Sequence, residues 1–396
     1  MEKYDEIKRA AKAIENEIIE NRRYIHEYPE IGLELARTSA FVKQKLFEMG
    51  YEIEEICKCG VLAKIGKLGK TLLIRADMDA LPMAEINDLP FKSKNDYGHT
   101  CGHDTHIAML LGAAKLLKQY ENELEGTVLL LFQPGEETLE GAQAVIEGGL
   151  LKKYKIDAAI AMHIETVDVQ TGHLIYKKGN LYASSDNFNI QVEGKGCHGA
   201  YPNEGIDPIN ILTNIYLSLQ SITTREISPM QPFVLSIGSF HGGTVRNVIP
   251  DTARMEGTFR TYSNKLREFV KLRINEIATK TAEKYGGKCI VEFLPGIPPL
   301  VTNSEVTEEM LTYASEIVGK ENTRETHQSM GSEDFSVYAD EIPSTYFGLG
   351  AGSKEEGYLY GGHNPKVQFN EKAFYLGSAI FTNCALKWLK NNKYYN

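Results

Sequence analysis

Residues Thr127-Val128-Leu129-Leu130-Leu131-Phe132-Gln133-Pro134-Gly135-Glu136-Glu137 set a run of apolar side chains directly against a turn and two adjacent carboxylates. A short continuous apolar run closed by proline and glycine reads as a strand buried on both faces. Such strands belong to α/β sheets covered by helices on either side. Two adjacent carboxylates straight after a buried strand are costly unless something cationic meets them. In open α/β sheets ligands gather at the carboxyl ends of the strands. Neighbouring side chains on extended backbone point opposite ways, so one glutamate can meet a metal while the other faces a substrate. Alone, the pair reads first as an acidic surface turn.

The flanking sequence repeats the theme. Residues 71–75 and 158–162 are further apolar runs, and residues 107–120 carry a helical pattern between them. Residues 4–22 and 35–49 place apolar side chains at three- and four-residue spacing, as helices do. From about Asp186 the order changes: strand at 188–192, helix at 208–222, a strand pair at 233–240 and 253–261, helix at 265–285, strand at 289–293. That β-α-β-β-α-β order is ferredoxin-like. Residues 305–318 then return to helix, 344–349 to strand and 371–390 to helix. The expectation is an α/β protein whose mixed sheet carries helices on both faces. Residues 1–185 and 298–396 would form the split first domain, and 186–297 an inserted α+β domain.

Composition narrows the function classes. With 396 residues, 42% hydrophobic and 24% charged, the chain is ordinary for a globular protein of two domains. A net charge of -10 argues against a nucleic-acid partner, which needs clustered Lys and Arg. No apolar run reaches membrane-spanning length, and Met1 to Asp5 lacks the basic start of a signal peptide. Six scattered cysteines do not make a disulfide framework. A cytoplasmic address is the simplest expectation.

The second informative segment is Gly98-His99-Thr100-Cys101-Gly102-His103-Asp104-Thr105-His106, with a thiol, three imidazoles and a carboxylate at the start of a helix. Cys and His together suit zinc or another borderline divalent metal. A helix N-terminus rich in polar caps is the bland reading. Further candidates follow other strands: Asp77 and Asp79 after 71–75, His163 after 158–162, and His363 beyond 344–349. A lone His after a strand is more often structural, but several potential ligands at separate strand ends point to one site.

The segments Arg75-Ala-Asp77-Met-Asp79-Ala-Leu-Pro82, His99-Thr-Cys101-Gly-His103-Asp-Thr-His106, Gln133-Pro-Gly-Glu136-Glu137 and Gly242-Gly-Thr-Val-Arg-Asn247-Val-Ile-Pro-Asp251 together resemble the aminoacylase and carboxypeptidase superfamily of metallohydrolases. More closely they resemble its branch of hippurate hydrolases, auxin-conjugate hydrolases and N-acetyldiaminopimelate deacetylases. The resemblance implies a catalytic domain with two divalent ions (zinc, manganese, cobalt or nickel) and a ferredoxin-like lid or dimerisation domain. It implies Cys101, His103, Glu137, His163 and His363 as ligands, with Cys101 between the ions, Glu137 and His363 on one, and His103 and His163 on the other. Glu136 becomes the general base, taking a proton from water and delivering it to the departing amine. Asp79 is expected to orient a ligand imidazole. His198 is expected to stabilise the developing oxyanion, reaching across a dimer interface, with Asn247 and Arg260 meeting the substrate. A surface ion pair is the plain alternative for Arg260.

The implied activity is removal of an N-acyl, foremost acetyl, group from an amino acid or related small amide, by a homodimer or higher homo-oligomer. A dipeptidase or carboxypeptidase is the alternative within this reading. The chain departs from the branch at Ile164-Glu165-Thr166-Val167, at Thr105 and at Gly361-Gly362, all of which would border the pocket. A cysteine hydrolase using Cys101 leaves Glu136, Glu137, His163 and His363 idle. A non-catalytic metal-binding protein on the same fold would be marked by loss of the base, and Glu136 is present. Cys57-Lys58-Cys59 has the wrong spacing for a redox pair. His26, His106, His173, His241 and His327 read as structural or surface residues.

Overall fold

The computed structural model describes residues 2–393. The chain groups into two compact units: one runs up to Leu181, resumes over Val301–Gln328 and continues from Val337; the other comprises Tyr182–Leu300 and Ser329–Ser336.

The first unit is built on an eight-stranded mixed sheet. Its order is Glu52–Cys57, Gly60–Gly66, Gly126–Gln133, Lys70–Asp77, Ala158–Val167, Ser344–Ser353, Leu174–Tyr176 and Thr323–Glu325. The four strands Gly126–Gln133, Lys70–Asp77, Ala158–Val167 and Ser344–Ser353 run parallel to one another in its centre. All ten residues of Ser344–Ser353 are buried, which explains a sequence without polar alternation. Helices His103–Gln119 and Phe374–Asn391 pack together and are buried nearly all round. The register pairs Asp77 with Gln133, so these two strands end level at the same sheet edge.

Three sequence readings need correction here, and one hairpin goes unread. The 4–22 helix is two helices, Lys3–Ala13 and Glu15–His26, because Ile14 leaves helical backbone at φ -103 and ψ 10. The 107–120 helix starts earlier, at His103, where Gly102 (φ 93) turns the chain into it. The 158–162 strand does not stop before His163 but continues to Val167, paired along Ser344–Ser353. The hairpin of Glu52–Cys57 and Gly60–Gly66 has no counterpart in the sequence reading; Lys58 and Cys59 form its turn, and Cys57 and Cys59 are both free.

The second unit holds a four-stranded antiparallel sheet in the order Phe233–Gly242, Thr252–Thr261, Asp186–Glu193, Lys288–Phe293. Helices Pro208–Ser221 and Asn264–Lys284 cover it, giving the β-α-β-β-α-β order in the chain. The alternation of buried and exposed residues along Asp186–Glu193 is that of a sheet with one wet face. Its core joins Phe188, Ile190, Val192, Ile215, Met255, Phe259, Val270 and Ile274. Asp207 and Ser263 cap the two helices by accepting N–H groups from their first turns. No helix among the described residues is long and apolar enough to cross a membrane.

Candidate metal centre

The first unit gathers a constellation of ligand groups where its parallel strands end. After Lys70–Asp77 the chain carries Asp79, whose Oδ1 and Oδ2 accept the backbone N–H groups of Glu136 and Glu137 at 2.9 and 3.1 Å. Those two bonds fix the turn after Gly126–Gln133, in which Gly135 adopts φ 72. A Cβ at Gly135 would lie 2.6 Å from Leu33 Cδ2, so the turn needs glycine for both space and conformation.

Cys101 and His103 flank Gly102, whose own Cβ would collide with Ile164 Cγ2 at 2.4 Å. Cys101 Sγ lies 3.4 Å from His163 Nε2. The His163 Nδ1–H donates to the Ile164 carbonyl at 2.6 Å, which leaves the Nε2 lone pair turned to the thiol. His363 adopts a left-handed backbone (φ 61), rare for a residue with a Cβ, and its N–H donates to Thr100 O at 2.9 Å. Its Nε2 reaches within 3.4 Å of Glu137 Oε1.

Two triads result. Cys101, His103 and His163 offer ligand atoms all within 4.8 Å of one another, and so do Cys101, Glu137 and His363. Cys101 is common to both. Glu136 Oε2 stands 3.9 Å from His103 Nε2. His103 Nδ1 lies 3.6 Å from Asp79 Oδ1, beyond hydrogen-bond length. Asp79 therefore makes its close contacts to the glutamate backbone, with the imidazole next in reach.

The electrostatics favour a cation. Burial pushes the Cys101 thiol well above its ordinary value, and His103 only partly offsets it. A thiolate here needs further positive charge beside it. Burial also opposes protonating His103, yet Asp77 and Cys101 outweigh it and draw its pKa well up. Burial works against ionised Glu137 too, but His363 and His103 overcome it and hold the carboxyl below the usual range. Both ring nitrogens of His103, and Glu137 Oε1, are buried without a hydrogen-bond partner. Thiol, imidazole and carboxylate with buried polar atoms left without a hydrogen-bond partner fit borderline divalent ions.

A supporting layer lies behind these groups. Buried Asp77 receives Arg75 at 2.5 Å and the His106 ring at 2.5 Å. His106 Nε2 accepts the Ile164 N–H at 2.9 Å, so Nδ1 carries the proton toward Asp77. Burial pushes the His106 pKa down to about 4, against the pull of Asp77. A neutral His106 thus grips the peptide beside His163, and its role is structural. Gln133 Oε1 accepts from both Arg75 and Tyr338 at 3.0 Å. Pattern reading assigns no such work to Asp77, Gln133 and Tyr338; the one signal that could have found part of it is the two-residue spacing of Arg75, Asp77 and Asp79, which puts them on one face of extended chain.

His198, Asn247 and Arg260 lie in the second unit. His198 pairs with Val248 in a two-stranded ribbon, and Gly199 N–H donates to Asn247 O at 2.8 Å. The ribbon therefore presents His198 and Asn247 as exposed neighbours. Arg260, on Thr252–Thr261, donates from Nη1 to Ser332 Oγ at 3.0 Å and forms no ion pair among the described residues. His26 is buried against Asp104 and Glu85, far from a surface role.

Residues 73–387 match the peptidase family M20/M25/M40. The chain is 40% identical over 396 residues to thermostable carboxypeptidase 1 of Saccharolobus solfataricus, covering 98% of this chain and 99% of that one. It is 36% identical over 384 residues to N-acetyl-L-cysteine deacetylase of Bacillus subtilis, covering 96% and 90%. Among solved structures it resembles the Bacillus subtilis YXEP protein, described as a dinuclear metal-binding peptidase of the M20 family. The TM-score is 0.80 at 34% identity, over 96% of this chain and 99% of that one.

Proposed function

The chain belongs to peptidase family M20/M25/M40, and from that footing we propose that it is a metal-dependent amidohydrolase that removes the acyl group of N-acyl amino acids. The observation that carries the reading is the convergence of Cys101, His103, Glu137, His163 and His363 around Glu136, with Cys101 common to two triads. Two divalent ions fit this donor set, one held by Cys101, His103 and His163, the other by Cys101, Glu137 and His363. The dinuclear relative supports that count. When bound, such ions supply Lewis acidity toward an amide oxygen and make water more acidic.

The chain's own residues do the rest. Glu136 is buried, its backbone N–H is held by Asp79 and its carboxylate stands 3.9 Å from His103, where it can take a proton from the attacking water and pass it to the departing amine. Zinc, manganese, cobalt and nickel all suit thiolate with imidazole. His198, with Asn247 and Arg260, is assigned to the substrate and its developing oxyanion. Residues 186–297 are assigned as the lid or dimerisation domain that carries them. We further propose a homodimer; sedimentation showing a fully active monomer at assay concentration would refute action of His198 across subunits.

The carboxypeptidase relative supports a second reading, release of a C-terminal residue from a small peptide. Both readings place a free carboxylate next to the scissile amide. Amine release from a panel of N-acetyl amino acids, hippurate and dipeptides separates them. The same panel tests the base: Glu136→Gln should lower kcat by about 10²–10⁴ with metal content unchanged. Equal activity in the variant would refute Glu136.

A further inference from the structure

His163 lies between two groups. Its Nε2 faces Cys101 Sγ at 3.4 Å, and on the other side its Nδ1 lies 3.8 Å from Glu165 Oε1. His163 and Glu165 are two residues apart on the Ala158–Val167 strand and so share a face. The neighbouring Ser344–Ser353 strand sets Gly348 opposite His163 and Gly350 opposite Glu165. A Cβ at Gly348 would lie 2.8 Å from Glu165 Cγ and 2.6 Å from Ile175 Cγ1. The missing side chain is therefore a slot through which the glutamate leans toward the imidazole. Both residues are half-buried. Among the described residues no lysine or arginine comes within ion-pair distance of Glu165; the His163 imidazole is its sole contact of that kind.

We propose that Glu165 is a positioning residue for the metal centre, acting through His163 to strengthen the hold on the ion in the Cys101–His103–His163 triad. A carboxylate behind a ligand imidazole fixes the ring and makes the ligating nitrogen more basic. Here the ring already donates Nδ1–H to Ile164 O, and the Glu165 charge adds to that polarisation. This rests on the two-ion reading above. It also gives a physical role to the stretch Ile164-Glu165-Thr166-Val167, where the chain departs from its branch.

The test is zinc affinity and stoichiometry, by competition with a chromogenic chelator, for the wild type, Glu165→Gln and Gly348→Ala. The cobalt-substituted proteins are followed through the thiolate-to-cobalt absorption band. Wild type should bind two zinc ions. Glu165→Gln, nearly isosteric, should weaken one of them by about 10–100-fold and shift the band, while the other stays within twofold. Gly348→Ala, which crowds Glu165 without removing it, should move both readouts the same way. Two zinc ions held by Glu165→Gln within twofold of wild type would overturn the role of Glu165 and leave the two-ion reading standing. A wild type that takes up no zinc would overturn both.

Discussion

Both carboxylate oxygens of Asp79 accept main-chain N–H groups, so the side chain orders the loop that carries Glu136 and Glu137. Asp79→Asn would put an NH2 group against one of those N–H donors. Displacing a catalytic group by about 1 Å costs about 10²-fold in rate, and kcat of Asp79→Asn should fall by that order with Glu136 intact. Steady-state kinetics beside circular dichroism checks it. His106 bridges Asp77 to the Ile164 amide, and His106→Ala would strand a buried carboxylate oxygen and a buried N–H. The expected loss is about 1–3 kcal/mol per stranded group, measured as a lowered urea midpoint of the metal-free protein. The pattern put Cys, His and paired Glu at strand ends, and the resemblance named Cys101, His103, Glu137, His163 and His363 as ligands; the structure draws these five side chains together. The roles of Asp79 and His106 were not legible, since nothing in a sequence says which backbone amide a side chain will meet.

Helices Glu15–His26 and His103–Gln119 are tied through buried charge. Arg22 and His26 both lie 2.7 Å from Asp104 Oδ2, and His26 Nε2 reaches Glu85 at 3.1 Å. Burial and Arg22 oppose protonating His26, but Asp104 and Glu85 outweigh them and raise its pKa. Burial likewise opposes ionising Asp104 and Glu85, yet their cationic partners lower both. A raised His pKa stabilises fully below the unfolded value of about 6.5, and the effect is lost as pH rises through the folded value. Lowered carboxylates stabilise above about 4, and lose that as pH falls through their folded values. The network is thus strongest between about pH 4.5 and 6.5. The cost of His26→Gln in denaturant unfolding should be largest there and shrink as pH rises; a cost that grew toward alkaline pH would contradict the arrangement. The elements themselves were mostly legible: apolar runs gave the central strands and 3.6-residue spacing the helices. The hairpin at Glu52–Gly66 escaped because Glu52, Glu54 and Glu55 mask its β-pattern, and the break at Ile14 because the apolar stripe runs through it.

Across the whole molecule, an ion that binds only the folded chain stabilises it by mass action, about 2.7 kcal/mol at a hundred times its Kd. Chelator should therefore lower the thermal midpoint together with activity, and zinc should restore both; an unchanged midpoint would argue against the site. The segment Ser329–Ser336, which groups with the second unit, has no periodic pattern to announce it, so the finer division of the chain lay beyond pattern reading. The order of the chain also sets a schedule. The Ser344–Ser353 strand must find Ala158–Val167 after the intervening residues have been made, and His363 comes later still. While a ribosome is still extending the chain, the second unit can fold on its local contacts, whereas the first must wait with a sheet lacking a central strand. The thiol, both early imidazoles and both glutamates are then present without their last partner. Nascent chains stalled before residue 344 should show a protease-resistant second unit beside a labile first one, and full zinc occupancy should appear only once synthesis has passed His363.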